Sequence, residues 1–311
     1  MESYTGFAQV YDELMDATPY GEWCQRIVEY IGKYGVSRPV HESVKHPAKA
    51  EQGNGRQETK CGTMDEAGNL DSAVGSEGQM LREALESERN LVLDLGCGTG
   101  TLTEMMAGRG FDMIGVDLSA EMLSLAMEKR EASGLDILYL NQDMLKLDLY
   151  STVGTVYSVC DSVNYLLEDA DVVQAFQKVN LFLFPKGLFL FDFNTVYKYE
   201  QIGDTVIAES REDCSFIWEN YYDPDTHENE YDLTIYRQEE GDLYRRSDET
   251  HVQRGYTLRE MHRFVQEAGL EWIEAIDADT GGDVTAVTER VFVAAREHGK
   301  SLPESADNQA E

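Results

Sequence analysis

Three glycines and two carboxylates recur along this chain at the spacing that a nucleotide-binding site requires. Gly96, Gly98 and Gly100 follow an apolar run, and such a loop lets the backbone approach a ligand without side-chain bulk. Asp117 ends the next apolar run, where its carboxylate could accept hydrogen bonds from both hydroxyls of a ribose. Asp143 follows a third run and could pair with an adenine amino group. Because these features fall at successive strand ends, the sequence predicts a site for a nucleotide-like cofactor.

Neighbouring side chains complete the predicted cofactor site. Cys97 lies inside the glycine loop. Leu118 and Met122 would pack on a purine face, and Met144 would cover the adenine ring. Asp94 stands within an apolar strand, where an unpaired carboxylate is costly. We therefore expect Asp94 to bind loop amides or a cationic group of the ligand.

A polar segment after the fourth predicted strand should lie at the reacting end of that ligand. Cys160 begins this segment and is expected to contact the cofactor. Asp161, Asn164 and Tyr165 follow it and are the candidate catalytic residues. Four more side chains could reach over the pocket, with packing in the core or in a sheet as the alternative role: Tyr20, Trp23, Tyr222 and His251.

Alternating strands and helices must position these residues. Apolar runs separated by helical periods predict an α/β fold, a doubly wound and mostly parallel seven-stranded sheet of the Rossmann-like kind. A sheet of this kind binds its ligand at the carboxyl ends of the strands. The predicted strands lie at 91–95, 111–117, 137–140, 153–159, 187–193, 270–276 and 290–295.

The remaining segments divide the chain further. Residues 36–78 lack aromatic residues and periodicity, so they predict a disordered insertion. Alternating residues over 203–255, with turns at 223–225 and 240–242, predict an added antiparallel sheet. The predicted organisation is a helical lid at 1–35, a cofactor domain at 79–202 and 256–297, and a flexible tail at 298–311.

Three motifs resemble those of the class I S-adenosylmethionine-dependent methyltransferases. Residues 92–100 (VLDLGCGTG) look like the first motif of this family, and residues 114–119 (IGVDLS) resemble the second. Residues 141–144 (NQDM) are similar to the segment that contacts adenine. The likeness extends from Leu91 to Phe193, and it implies S-adenosylmethionine as the cofactor.

The N-terminal residues 7–12 (FAQVYD) resemble the first helix of small-molecule N-methyltransferases of the same class. In those enzymes a tyrosine of this kind reaches the methionine end of the cofactor, and an antiparallel sheet is likewise appended. The resemblance implies that Tyr11 contacts the cofactor. It also implies methyl transfer to a small-molecule acceptor by in-line displacement.

Two other functions remain open at this stage. A dinucleotide oxidoreductase that uses NAD also needs glycines followed by an acid, but its usual glycine spacing calls for a small residue where Thr101 stands. A non-catalytic regulatory protein that binds S-adenosylmethionine is the second alternative. Nothing in residues 96–100 indicates a damaged loop.

The composition of the chain limits which partners and which cellular compartment are expected for the protein. The formal net charge of −33, from 59 acids and 26 bases, disfavours nucleic acid and anionic membrane surfaces. Five dispersed cysteines predict reduced thiols in a cytoplasmic protein. His41, His46 and Cys61 match no ligand spacing, so no metal site is predicted. The apolar runs are all too short to span a membrane.

Overall fold

A mostly parallel sheet forms the centre of the fold. The computed structural model describes residues 8–15, 18–41 and 72–302. Its strands are β1 Leu91–Leu95, β2 Asp112–Asp117, β3 Ile137–Asn141, β4 Val153–Ser158, β5 Leu183–Asn194, β6 Val206–Ser210, β7 Cys214–Asp223, β8 Glu228–Gln238, β9 Tyr244–Arg254, β10 Leu270–Asp277 and β11 Arg290–Glu297. Within these ranges seven strands form one sheet in the order β10-β11-β5-β4-β1-β2-β3. Strands β1 to β5 are parallel, and β11 runs antiparallel to both of its neighbours. The predicted α/β class is confirmed.

Helices cover both faces of this sheet. They are α1 Ala8–Leu14, α2 Tyr20–Tyr34, α3 Ser72–Asn90, α4 Thr101–Ala107, α5 Ala120–Ser133, α6 Asp169–Phe182, α7 Val196–Ile202 and α8 Leu258–Glu267. Successive residues of β1 point to opposite faces. Val92 packs in a core with Ile27 of α2 and Met106 of α4, whereas Leu93 packs with Phe176 of α6. Burial on both faces explains why the central strands are apolar throughout.

The predicted antiparallel sheet is also present. In the described part of the chain four strands pair in the order β6-β7-β8-β9. One end of the inner face is apolar, and there Phe216 and Leu233 pack with Val10 of α1 and Met122 of α5. The second sheet and the N-terminal helix are therefore held together over the carboxyl edge of the central sheet.

The expected insertion and tail overlap with ordered structure at their edges. Ser37 is buried and its hydroxyl donates to the carbonyl of Arg89, while the amide of Val40 donates to the carbonyl of Gly110. Helix α3 begins at Ser72 and not near residue 79 as expected. In the tail, the ammonium of Lys300 donates to carbonyls of the last turn of α6, at Asn180 and Leu181, and to the carbonyl of Leu183 just after it. These polar anchors carry no hydrophobic periodicity; residues 42–71, with His46 and Cys61, lie outside the described residues.

The ranges that the structure describes contain neither a membrane-spanning helix nor a cluster of metal ligands. No helix there is long and apolar enough to cross a bilayer. No group of three metal-ligating side chains comes together among the described residues. Four cysteines in this part of the chain are free thiols: Cys24, Cys97, Cys160 and Cys214. The cytoplasmic location expected from the cysteines stays a prediction.

Gly154 is a position where the sheet leaves no room for a side chain. A Cβ at this residue of β4 would overlap the carbonyl oxygen of Arg89 and approach the Ser37 hydroxyl. We expect Gly154→Ala to lower the free energy of unfolding by about 1–3 kcal/mol, since backbone must move. Gly32→Ala is the matched control because nothing lies within 4 Å of its Cβ position in α2. In urea unfolding the control should be neutral or slightly stabilising. Equal unfolding midpoints for the two variants would contradict the conclusion that the sheet leaves no room for a side chain at Gly154.

Candidate functional site

A cavity of about 420 Å³ opens at the carboxyl ends of β1, β2 and β4. The central sheet forms its floor, and α1, α7 and the second sheet cover it. Its size lies within the range usual for small-molecule sites. The structure brings ten of the sequence-predicted site residues to its lining: Tyr11, Asp94, Gly96, Cys97, Gly98, Asp117, Met122, Cys160, Asp161 and Tyr165.

The glycine loop brings bare backbone to this cavity. Gly96 and Gly98 have φ of 83° and 55°, the left-handed region that glycine adopts without strain. A Cβ at Gly96 would collide with the side chain of Ser162. A Cβ at Gly98 would meet no atom within 4 Å and would occupy space that the loop leaves open. A ligand can therefore approach the backbone closely at Gly98.

Asp117 lies at the end of β2, next to the glycine loop. Its Oδ2 accepts a hydrogen bond from the amide of Gly98 at 2.8 Å, and its Oδ1 accepts one from the amide of Ser119 at 2.8 Å. Burial raises the pKa of Asp117, and the amide hydrogen bonds oppose that shift. Each carboxylate oxygen can accept more than one bond, so the fixed carboxylate fits a pair of ribose hydroxyls.

Asp94 lies on β1, where it is buried at the lining of the cavity. Its Oδ2 accepts hydrogen bonds from the hydroxyls of Thr103 at 2.6 Å and Tyr157 at 3.0 Å. These partners are hydroxyl groups and not loop amides, which leaves the other expected partner, a cationic group of the ligand, as a prediction. Burial raises the pKa of Asp94 to about 7, against the effect of both hydrogen bonds. A cationic group of a ligand would favour the ionised form of such a carboxyl group.

Asp161 is held at the end of β4 by a network that the sequence did not reveal. Its carboxylate pairs with the guanidinium of Arg290 at 2.8 Å and accepts from the amide of Gln253 at 2.7 Å. Arg290 also binds Asp192 at 2.8 Å, and the backbone amide of Asp161 donates to Asp192. Cys160 and Asp161 both have positive φ, 61° and 53°. Strained backbone that is fixed from several sides is common at functional sites.

The second sheet supplies the far wall of the cavity with aromatic and amide groups. Along its strands the inner face changes from apolar to polar residues that remain buried or half-buried. The ammonium of Lys198 on α7 donates to Asn194, and burial lowers its pKa. Polar residues at inward positions of an alternating strand are the sequence signal for this wall. The lining here comprises Trp218, Asn220, Asn229, Tyr231 and Gln253 of the second sheet, next to Lys198 and Tyr199 of α7.

Asn164 does not line the cavity, in contrast to its predicted catalytic role. Its side chain is buried and donates to the carbonyls of Asn194 and Arg254, and it accepts from the amide of Asn194. Its three hydrogen bonds satisfy the amide within the protein. Asn164 therefore links the turn after β4 to β5 and β9 and positions its neighbours.

Four predicted cofactor contacts also lie outside the cavity lining. Gly100 is the N-cap residue of α4, and Leu118 is 72% exposed. Asp143 caps the short turn 144–146 through the amide of Leu145, and Met144 packs at the edge of the core. Their contact with the cofactor stays a prediction.

The four additional candidates are divided by the structure. Tyr20 lines the cavity. Trp23 lies under the guanidinium of Arg290, 5.4 Å from the ring centroid, and Tyr222 is outside the lining. His251 lies behind Tyr165, outside the cavity lining.

The sheet, the glycine loop and the strand-end carboxylates define an α/β protein built for a nucleotide-type cofactor. Residues 92–187 match the family model described as a methyltransferase domain. The chain is 30% identical to "Putative methyltransferase GWCH70_2453" of Geobacillus sp. (strain WCH70), over 94% of this chain and 99% of that protein. It is also 30% identical to "Putative methyltransferase YqeM" of Bacillus subtilis (strain 168), over 94% and 96%.

Solved structures share the fold. An S-adenosylmethionine-dependent methyltransferase from Clostridium acetobutylicum ATCC 824 superposes with a TM-score of 0.71 at 24% identity, covering 95% of this chain and 99% of that one. The amino pentose methyltransferase CalS10 from Micromonospora echinaspora gives 0.53 at 19% identity, covering 76% and 100%.

The chain belongs to the class I S-adenosylmethionine-dependent methyltransferases. It is an enzyme whose cofactor is S-adenosylmethionine, which replaces the two alternatives that the sequence left open. The resemblance seen in the three motifs is confirmed.

Proposed function

We propose that this enzyme methylates a small-molecule acceptor by in-line displacement inside the cavity. The observation that carries the proposal is continuity: one cavity extends from Gly98 and Asp117 to the wall formed by Lys198 and the second sheet. Cofactor and acceptor can therefore meet in one continuous space. Residues at the turn between the two halves, Asp161 and Tyr165, are placed to contact the reacting atoms.

The chain's own groups have simple tasks in this reaction. The cofactor supplies a methyl group made electrophilic by its sulfonium. Asp117 binds the ribose hydroxyls, and the backbone at Gly98 approaches the cofactor. Tyr11, from α1, and Tyr165 cover the reacting end and exclude water. Asp161 is fixed by Arg290 and can orient a donor group of the acceptor.

A small acceptor fits this arrangement better than a macromolecule. Helix α1 and the second sheet lie over the cavity, so a folded chain or duplex would have to displace them. The net charge of −33 opposes polyanions. CalS10, which shares the fold, is an amino pentose methyltransferase, and amines are therefore the first acceptors to test.

Calorimetric titration and a turnover screen test the proposal. We expect S-adenosylmethionine to bind and NAD not to bind. Formation of S-adenosylhomocysteine should then depend on one class within a panel of amino sugars, other amines, phenols and carboxylates. Peptides and RNA oligonucleotides form the comparison arm. Turnover confined to the macromolecules would overturn the small-molecule assignment.

Binding of S-adenosylmethionine should weaken as the pH falls through about 7 because of Asp94. A cationic group of the ligand favours the carboxylate, so the pKa of Asp94 is lower in the complex than in the free enzyme. A lowered pKa contributes affinity above the free-enzyme value, and that affinity is lost as the group takes up a proton. Asp94→Asn should bind more weakly and show a flat profile.

Calorimetry across this pH range measures the effect. Asp112→Asn is the control because Asp112 begins β2 at the end away from the cavity, and it should retain the wild-type pH dependence. An unchanged pH dependence in Asp94→Asn would show that Asp94 does not face a cationic group.

A further inference from the structure

A chain of polar side chains leads from the cavity into the second sheet. The hydroxyl of Tyr165 lies 2.8 Å from that of Tyr231 and 3.5 Å from Nδ1 of His251. On the other side of the ring, Nε2 of His251 lies 3.3 Å from Oε2 of Glu249. The order from the cavity inward is therefore phenol, imidazole, carboxylate.

The two ends of this chain have different surroundings. Tyr165 and Tyr231 line the cavity, whereas His251 and Glu249 are only 3% and 8% exposed. His251 and Glu249 are two residues apart on β9, so both side chains point to the same face. Burying an imidazole and a carboxylate in a strand costs free energy unless the two groups interact with each other or with a ligand.

Packing alone gives a competing account of His251. Its ring stacks on Tyr231 with centroids 5.1 Å apart and meets Tyr165 edge-on at 6.0 Å. An apolar ring could make the same aromatic contacts. Packing therefore does not explain why a carboxylate lies beside Nε2 of His251. The phenol at one nitrogen and the carboxylate at the other match a base that is oriented by a third group.

We propose that Tyr165, His251 and Glu249 form a relay that removes the proton from the methyl acceptor. The proposal rests on the proposed function, because it requires a small acceptor with an N–H or O–H in the cavity. Tyr231 holds the phenol of Tyr165 in place. In the resting state His251 carries its proton on Nε2, toward Glu249, and accepts at Nδ1.

The step balances in atoms and charge. A lone pair of the acceptor forms a bond to the methyl carbon, and the carbon–sulfur bond breaks with its electron pair going to sulfur. The acceptor's proton passes to Oη of Tyr165 while the phenol proton passes to Nδ1 of His251. The positive charge that began on sulfur ends as an imidazolium beside Glu249, and that proton later leaves to solvent.

Two near-isosteric variants test the relay in the full-length enzyme. His251→Asn retains a polar group near Tyr165 but cannot carry the proton, and Glu249→Gln removes only the charge. With the acceptor that the wild type turns over, we expect kcat to fall on the order of 10²-fold in His251→Asn. The Kd of S-adenosylmethionine should be unchanged in both. Thr250→Val, on the exposed face of β9, should behave as wild type.

The pH profile and the choice of acceptor separate a relay from a structural role. His251→Asn should lose the rise of kcat with pH that reports an imidazole, and Glu249→Gln should move that rise to lower pH because the imidazolium loses its counter-charge. The deficit of both variants should disappear for a tertiary amine assayed above its own pKa, because its free base has no proton to give. An equal deficit for tertiary and primary amines would overturn the relay.

Nitrogen NMR of the histidine ring tests the relay without any acceptor. The Nε2–H tautomer of His251 is expected in the wild type, with a change on Glu249→Gln, and the Nδ1–H tautomer would overturn the proposal. Failure of the wild type to bind S-adenosylmethionine or to turn over any small acceptor would instead count against the proposed function. The two failures are therefore distinguishable.

Discussion

Replacing Arg290 with methionine should lower the free energy of unfolding by about 3–5 kcal/mol. The side chain of Arg290 is only 15% exposed, and its guanidinium binds Asp161 and Asp192 at 2.8 Å each. Asp192 is only 2% exposed, so its carboxylate loses its main counter-charge without gaining water. Breaking a buried pair from one side leaves an uncompensated charge, which costs far more than the pair contributes.

A denaturant titration of Arg290→Met beside Arg296→Met measures this effect. Arg296 lies on the same strand and pairs with Glu271 at 2.7 Å, but both partners of that pair are substantially exposed to solvent. Exposed pairs contribute little, so the control variant should unfold close to wild type. Comparable losses in the two variants would show that β11 itself, and not the buried pair, is responsible.

The deficit of Arg290→Met should also depend on pH. Burial already raises the pKa of Asp192, and Arg290 opposes that rise. Without the arginine the folded-state pKa lies further above the unfolded value, so the folded state binds more protons. The stability of Arg290→Met then falls as the pH rises from the unfolded-state pKa of Asp192 through its higher folded-state pKa. The deficit should therefore be smaller at about pH 5 than at about pH 8, and a deficit independent of pH would contradict a role for Asp192.

The central sheet could be predicted from the sequence because its signals are local. Apolar runs such as 91–95 and 187–193 are buried on both faces, and glycines or acids mark their ends. Strand order then follows from the usual handedness of parallel connections. The sequence places residues 36–41 in the disordered insertion, whereas in the structure hydrogen bonds from Ser37 and Val40 anchor them. Such bonds leave no periodic pattern of apolar residues, so the sequence gives no sign of them.

The meeting of Gly98 and Asp117 could also be predicted, whereas the partners of Asp161 could not. Gly98 and Asp117 belong to one βαβ unit, so their proximity follows from the strand order. Asp161 meets Arg290 across 129 positions of sequence, and Gln253 reaches it from the second sheet. Pairings of that range depend on how the appended sheet docks, which no local pattern encodes.

Asp117→Ala should weaken binding of S-adenosylmethionine by about 1–3 kcal/mol, or roughly 5- to 150-fold. The carboxylate is the proposed acceptor for both ribose hydroxyls, and hydrogen bonds to a charged group are worth more than neutral ones. It also fixes the glycine loop by accepting from the amide of Gly98. Removing it therefore costs the ribose contact and loosens the backbone that approaches the cofactor.

Calorimetry with S-adenosylmethionine and with S-adenosylhomocysteine should show the same loss for Asp117→Ala, because both ligands carry the ribose. Asp112→Ala is the matched control: Asp112 begins the same strand at the opposite end of the sheet, away from the cavity. That variant removes the same charge, so it separates a local contact from a change in net charge. Equal affinity of Asp117→Ala and wild type would show that the ribose binds elsewhere. The proposed orientation of the cofactor toward Asp161 and Tyr165 would then be wrong as well.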